Sequence, residues 1–209
     1  MPVVEAQRSD SRRAQILEHA TLLFGEHGYE RTSMRDIAAA VGMLPGSVYY
    51  HFQSKEALLA AVYADAIDAA IATIEQAVAP HQEGWARLEA AAVAHLHVLV
   101  GGGRLAAIIG DGPNLPESAR SQLVRQRRRY EAVFRDLVSH VELAPGIQAS
   151  SFRLALLGAL NWALTWYRPD GDPPETVARD LFAVFRACQP ATAQPATATA
   201  QPATARNRA

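Results

Sequence analysis

Residues 32–55 read TSMRDIAAAVGMLPGSVYYHFQSK, a pattern that predicts two short helices, one on either side of Gly42. In the first helix, the apolar residues recur with the spacing of one helical face, at Met34, Ile37, Ala38 and Val41. Thr32 or Ser33 can cap its first turn by accepting a backbone N–H. Gly42 suits the left-handed conformation that ends a helix, and Pro45 suits the first turn of a second helix.

The second helix has one apolar and one polar side. We expect three residues spaced four apart to bury against the first helix, namely Leu44, Val48 and Phe52. The side chains left facing outward are those of Ser47, Tyr50 and His51, with Tyr49 at the edge. Two short helices joined by a three- to four-residue turn with a glycine form a helix-turn-helix, whose second helix enters the major groove of DNA.

The landmarks around this motif resemble the DNA-binding domain of TetR-family transcriptional regulators. The matching residues are Gly28-Tyr29, Thr32, the run from Ile37 to Gly42, Tyr49-Tyr50-His51-Phe52 and Ser54-Lys55-Glu56. The resemblance covers residues 10–70 and implies a three-helix DNA-binding domain. An apolar helical hairpin in an unrelated bundle is the alternative, but it does not explain why two tyrosines, a histidine and a lysine cluster where a helix would face phosphates.

Candidate DNA contacts follow from the motif, which spans Ser33 to Phe52. The resemblance implies that Arg35 reaches a base, and arginine to guanine is the commonest specific contact. Ser33, Ser47, Tyr49 and Lys55 suit phosphates, which set register without reading sequence. Because Pro45 and Gly46 offer no side-chain donor, direct readout rests on Arg35, Tyr50 and apolar contact from Leu44 or Pro45 to a thymine methyl. The full predicted set is Thr32, Ser33, Arg35, Leu44, Pro45, Gly46, Ser47, Tyr49, Tyr50, His51 and Lys55.

Composition narrows the class of protein. The chain has 209 residues, of which 49% are apolar, enough for a substantial core, and its formal net charge is −1. Residues 10–70 carry five Lys or Arg against eight Asp or Glu, which counts modestly against DNA binding unless the charges are segregated. A single cysteine, Cys188, excludes an internal disulfide and a multi-cysteine metal site. The polar N-terminus and the absence of an unbroken 18-residue apolar run predict a cytoplasmic protein that spans no membrane.

Helical periodicity continues through the rest of the chain, and no strand pattern accompanies it, so the predicted fold class is all-α. The predicted helices cover residues 11–27, 54–78, 83–99, 117–141, 148–167 and 174–187, beside the two of the motif. We expect residues 1–9 to form a disordered arm and the Pro-Ala-Thr repeats of 189–209 a disordered tail. Residues 71–188 would then form a helical ligand-binding and dimerisation domain, whose last two helices are apolar on two sides and suit a homodimeric four-helix bundle.

The segment from Asn161 to Glu175 carries a narrower resemblance, to TetR-family members that respond to acyl-CoA thioesters, the FadR- and KstR-like regulators of lipid and sterol breakdown. It implies a small-molecule effector of the acyl-CoA class. The run Arg125–Arg129 fits this reading if one arginine lies under a pocket mouth, although such a run is usually a solvated helix face. The predicted ligand-binding residues are Trp85, His95, Arg125, Arg128, Tyr130, Trp162 and Trp166. The aromatic residues could instead pack a dimer core.

The predicted function is therefore a DNA-binding transcriptional regulator, a repressor that an effector releases from its operator. We expect no enzymatic activity and no cofactor. We also expect no metal site, since His95 and His97 lie two residues apart and point to different faces of a helix. The alternatives are a sensor of a neutral drug or aromatic metabolite, a small helical enzyme that binds acyl-CoA, and an architectural DNA-binding protein without an effector.

Overall fold

The computed structural model describes residues 2–101 and 117–190, with side chains for residues 11–101 and 120–190. Within these ranges the chain forms eight α-helices, one short 3-10 helix and no strand, which confirms the all-α prediction. The helices are α1 (Pro2–His27), α2 (Met34–Ala40), α3 (Pro45–His51), α4 (Lys55–Val78), α5 (Gly84–Val100), α6 (Glu117–Ser139), α7 (Ala149–Trp162) and α8 (Pro174–Arg186). The predicted tail lies almost entirely outside the described residues.

Helices α1, α2 and α3 form the N-terminal unit, and α1 packs on the long helix α4. Helix α4 continues into a second bundle, in which α5 contacts α4, α6, α7 and α8. Helix α4 has the length and apolar composition that could cross a membrane. Nine of its side chains are buried against the neighbouring helices, so in this fold it is a core helix that joins the two bundles.

Local signals place the helix ends near the motif where the sequence predicts them. Ser33 caps α2, and Gly42 ends it with φ of +65°, in the left-handed region that a side chain disfavours. Pro45 takes the first position of α3, and Ser54 caps α4 by accepting a hydrogen bond from the amide of Ala57.

Two boundaries differ from the prediction by several residues. Helix α1 begins at Pro2, so residues 2–9 are helical and do not form a disordered arm; proline is tolerated in a first helical turn. Helix α7 ends at Trp162, where the chain tightens into the 3-10 turn Ala163–Thr165. Helix α8 begins at Pro174, as predicted, and Pro173 is its cap residue.

One close approach fixes how α5 meets α6. A Cβ atom added to Gly84 would lie 2.1 Å from the carbonyl oxygen of His140, which follows the end of α6. Only glycine allows this contact. Next to it, Trp85 is buried and packs edge-on against Phe152 and Phe182. These rings hold α5, α7 and α8 together and set the frame around the interior of the second bundle.

Candidate DNA-binding surface and effector site

The N-terminus of α2 is held by a reciprocal cap. The Asp36 amide donates to the Ser33 hydroxyl, and the Asp36 carboxylate accepts from the Ser33 amide at 2.8 Å and hydroxyl at 2.7 Å. These hydrogen bonds lower the pKa of Asp36. The Ser33 hydroxyl is therefore engaged within the cap, and the neighbouring side chain of Arg35 is exposed.

Helix α3 is anchored by few residues and presents most of its surface to solvent. Val48 and the following Phe52 are buried, whereas Tyr50 is 84% exposed and Tyr49 is 49% exposed. His51 is half-buried and meets the Tyr50 ring edge-on. The remaining predicted contacts of this helix are exposed, namely Pro45, Gly46 and Ser47. The expectation that Leu44 buries against α2 is wrong, because this side chain is 77% exposed.

Two predicted contacts, Thr32 and Lys55, face the turn between α1 and α2. Thr32 is buried, and its hydroxyl donates to the carbonyl oxygens of Gly28 and Leu23. The Lys55 ammonium donates to the carbonyl oxygens of Tyr29 (2.9 Å) and Thr32 (3.1 Å) and lies 4.1 Å from the centroid of the Tyr29 ring. Both side chains therefore brace the turn, since their polar atoms are engaged with its backbone.

Arg13 is a cation beside the motif that the predicted contact set omits. Its guanidinium lies 5.1 Å from the centroid of the Phe52 ring, at the end of α3. Because Arg13 belongs to α1, helical periodicity places it on that helix but cannot place it against α3. The only titratable side chains of the recognition helix α3 are tyrosine and histidine. Arg13 of α1 places a cation beside its end, and Arg35 exposes a second cation on α2.

A buried polar cluster joins α5, α6 and α7. Nδ1 of His95 lies 2.5 Å from the Tyr130 hydroxyl, and Nε2 lies 3.2 Å from Oδ1 of Asn161. Burial lowers the pKa of His95 to about 4, so the imidazole is neutral near pH 7. Burial also raises the pKa of Tyr130. A neutral imidazole that donates to Asn161 accepts from the Tyr130 hydroxyl, so the cluster is polar but carries no charge.

The structure brings together only part of the predicted ligand set. His95 and Tyr130 are in contact, and Asn161, absent from that set, is the second hydrogen-bond partner of His95. The sequence signal that could have identified Asn161 is that it is the single amide side chain in an apolar helix. Trp85 packs in the core, as described above. Trp162 and Trp166 are 66% and 44% exposed, so neither is buried in the interior of the single chain.

The arginine run of α6 divides into paired and outward-facing side chains. Arg127 pairs with Glu131 at 2.9 Å, and Arg129 reaches across to Asp68 of α4 at 2.8 Å. The predicted ligands of this run, Arg125 and Arg128, are both exposed. Because Tyr130 of the same helix is buried, α6 presents cations outside and an aromatic polar group inside.

Helices α7 and α8, which contact each other, both expose apolar side chains, and we call this set the α7–α8 face. It consists of Leu154, Ala155, Gly158 and Trp162 of α7 with Ala183 and Val184 of α8. Leu154 is 57% and Val184 70% exposed, and a Cβ atom added to Gly158 would meet nothing within 4 Å. Large exposed apolar patches mark surfaces that bind a partner.

Two family models match this chain, one in its N-terminal part and one in its C-terminal part. Residues 16–62 match the model of bacterial regulatory proteins of the tetR family, and residues 81–188 match that of the tetracyclin repressor-like C-terminal domain. The HTH-type transcriptional repressor KstR2 of Rhodococcus jostii is 29% identical over 197 residues, which cover 88% of this chain and 93% of the relative.

Two solved structures extend the likeness to nearly the whole fold. The structure of AibR in complex with isovaleryl coenzyme A and operator DNA has a TM-score of 0.71 and 26% identity, over 83% of this chain and 97% of AibR. The superantigen PfiT has a TM-score of 0.75 and 28% identity, over 83% of this chain and 95% of PfiT.

Proposed function

The chain belongs to the TetR family, and on that premise we propose that it is a homodimeric, cytoplasmic repressor that an acyl-CoA thioester releases from its operator. It is a ligand-responsive transcriptional regulator, as its relatives are. We assign it no catalytic role, since KstR2, which is similar over 88% of this chain, is a transcriptional repressor. The single observation that carries the choice of effector is the composition of α6, which joins exposed arginines to a buried polar cluster.

The DNA-binding surface in this proposal is the exposed side of α3 together with Arg35. Arg35 contacts a base edge, whereas Ser47, Tyr49 and Tyr50 supply hydroxyl groups to phosphates or bases. Support comes from their shared exposure around a short helix that is anchored by Val48. Lys55 and Thr32 act indirectly, by holding the turn that precedes α2.

An acyl-CoA has two chemically different ends, and α6 suits both. Its phosphates need cations at the protein surface, where Arg125 and Arg128 are exposed. Its acyl thioester needs an apolar interior with an uncharged hydrogen-bonding group, which His95, Tyr130 and Asn161 supply beside the Phe134 ring. The solved complex of the similar AibR with isovaleryl coenzyme A supports this class of ligand.

A neutral aromatic metabolite is the second candidate effector. The cluster of His95, Tyr130 and Asn161 carries no charge and would bind an uncharged ligand without help from surface arginines. The two candidates differ in whether Arg125 and Arg128 contribute to effector binding. Substitution of these two side chains therefore tests the proposal.

The effector test titrates the protein–DNA complex with CoA, several acyl-CoAs and the matching free acids. We expect release by a thioester at concentrations at which its free acid has no effect. The double variant Arg125→Gln/Arg128→Gln should weaken the response to the thioester by about ten-fold or more, because charge-assisted contacts to phosphate are strong. Arg135→Gln, an exposed arginine of the same helix, is the matched control. Release by a neutral aromatic compound alone would favour the second candidate.

Release requires that a change near α6 reach the DNA-binding surface. Helix α4 contacts α5 and α6 as well as α1, and Arg129 of α6 pairs with Asp68 of α4. At its N-terminus, Lys55 ties α4 to the turn before α2. A shift of α4 would therefore move the helix-turn-helix and change the distance between the two recognition helices of a dimer, which lowers affinity for correctly spaced half-sites.

The dimer in this proposal forms through the α7–α8 face. Small residues at Ala155 and Gly158 allow a second copy to approach closely, and Leu154, Trp162 and Val184 supply apolar area around them. Two copies of the pair α7 and α8, related by a two-fold axis, make a four-helix bundle. This role accounts for the exposure of Trp162, which we place at the interface and not in the effector site.

A further inference from the structure

Leu44 occupies a position where leucine contributes little to the fold. It is the N-cap residue of α3, a position that favours a side-chain oxygen able to accept a backbone N–H, and leucine has no such atom. Its side chain is 77% exposed, so it also gains little from burial. A residue that breaks a local rule without a compensating structural gain points to function.

The side chains around Leu44 leave an apolar patch at the start of the recognition helix. Pro45 and Gly46 follow it, both exposed, and a Cβ atom added to Gly46 would meet nothing within 4 Å. The first side chain of α3 with a hydrogen-bonding group is that of Ser47. The beginning of α3 therefore offers shape and apolar area, and no donor or acceptor from a side chain.

In a helix-turn-helix, the N-terminal residues of the recognition helix contact base edges in the major groove. The apolar group that the major groove displays there is the 5-methyl group of thymine. We propose that Leu44 is a specificity-determining residue that packs on a thymine methyl in each operator half-site. This inference rests on the DNA-binding function proposed above and adds the chemical feature that the operator must carry.

The experiment uses the full chain and an operator selected by the wild-type protein from a library of random duplexes. Each thymine of the selected sequence is replaced by deoxyuridine, which removes only the methyl group. We expect one position per half-site at which this replacement weakens binding about four-fold, the value of one buried methyl, and about fifteen-fold when both half-sites are changed. Leu44→Ala should bind the thymine operator more weakly and show no further loss with deoxyuridine there.

The control variant is Leu22→Ala, which truncates an exposed leucine of α1 and should keep the full penalty for deoxyuridine. Circular dichroism checks that both variants are folded. The inference is overturned if every replacement by deoxyuridine is neutral, or if Leu44→Ala keeps the same penalty; DNA binding by the chain would stand in either case. Failure of the wild-type protein to enrich any sequence would overturn the DNA-binding function as well as the inference.

Discussion

Lys55 offers the sharpest test of how the DNA-binding unit is held together. Lys55→Met keeps the linear side chain but removes an ammonium that donates to two carbonyl oxygens and lies over the Tyr29 ring. A hydrogen bond from a charged group contributes about 1.5–3 kcal/mol, and a cation–π contact at a partly exposed site adds about 0.5–1 kcal/mol. Because water can solvate the released carbonyl groups in part, we expect a loss of about 2–4 kcal/mol in the free energy of unfolding.

The assay is urea unfolding of the full chain, followed by circular dichroism at one fixed protomer concentration, since the proposed dimerisation would make stability depend on concentration. The unfolding midpoint should fall by about 1 M urea or more. Arg31→Met is the control, because Arg31 is exposed and donates one hydrogen bond, to the His27 carbonyl. An unchanged midpoint, together with a salt dependence of DNA binding reduced by about one unit, would refute the bracing role and make Lys55 a phosphate contact.

The remaining predictions concern three other sites. Arg35→Ala should weaken operator binding by about 1–3 kcal/mol but binding to random DNA little, measured by fluorescence anisotropy; equal losses would contradict base readout. Gly158→Arg should give a folded monomer in sedimentation, because a Cβ atom added there has open space in one chain but would meet the second copy in the proposed dimer. The control Ala132→Arg, at an exposed position of α6, should stay dimeric. Because the pKa of His95 is about 4 in the folded chain and about 6.5 when unfolded, stability should fall by about 3 kcal/mol as pH drops from 6.5 to 4, and His95→Gln should flatten that dependence in urea titrations.

Sequence reasoning succeeded where the signal acts within a few residues. The cap at Ser33, the positive φ at Gly42 and the proline at the start of α3 all lie where the sequence predicted them. Such signals depend on backbone hydrogen bonds and sterics over one helical turn, so no distant residue can change them much. The all-α fold and the helix-turn-helix could therefore be predicted from the printed sequence.

The role of individual side chains was harder to predict, because an exposed and a buried residue can have the same pattern. Thr32 and Lys55 have the chemistry of phosphate contacts, yet both engage the backbone of the turn before α2. Leu44 has the spacing of a core residue, yet it is the N-cap residue that precedes α3, and its side chain projects into solvent.

The amino-acid sequence by itself determined the helices, their caps and the motif, because these follow from periodicity and local chemistry. Only the tertiary structure decided which aromatic and polar side chains share the interior. His95 meets Tyr130 and Asn161 across 35 and 66 residues of sequence, while Trp85 is buried and Trp162 is exposed on equally apolar helices. Burial depends on which distant helices pack on a given face, and helical spacing within one segment carries no information about that choice.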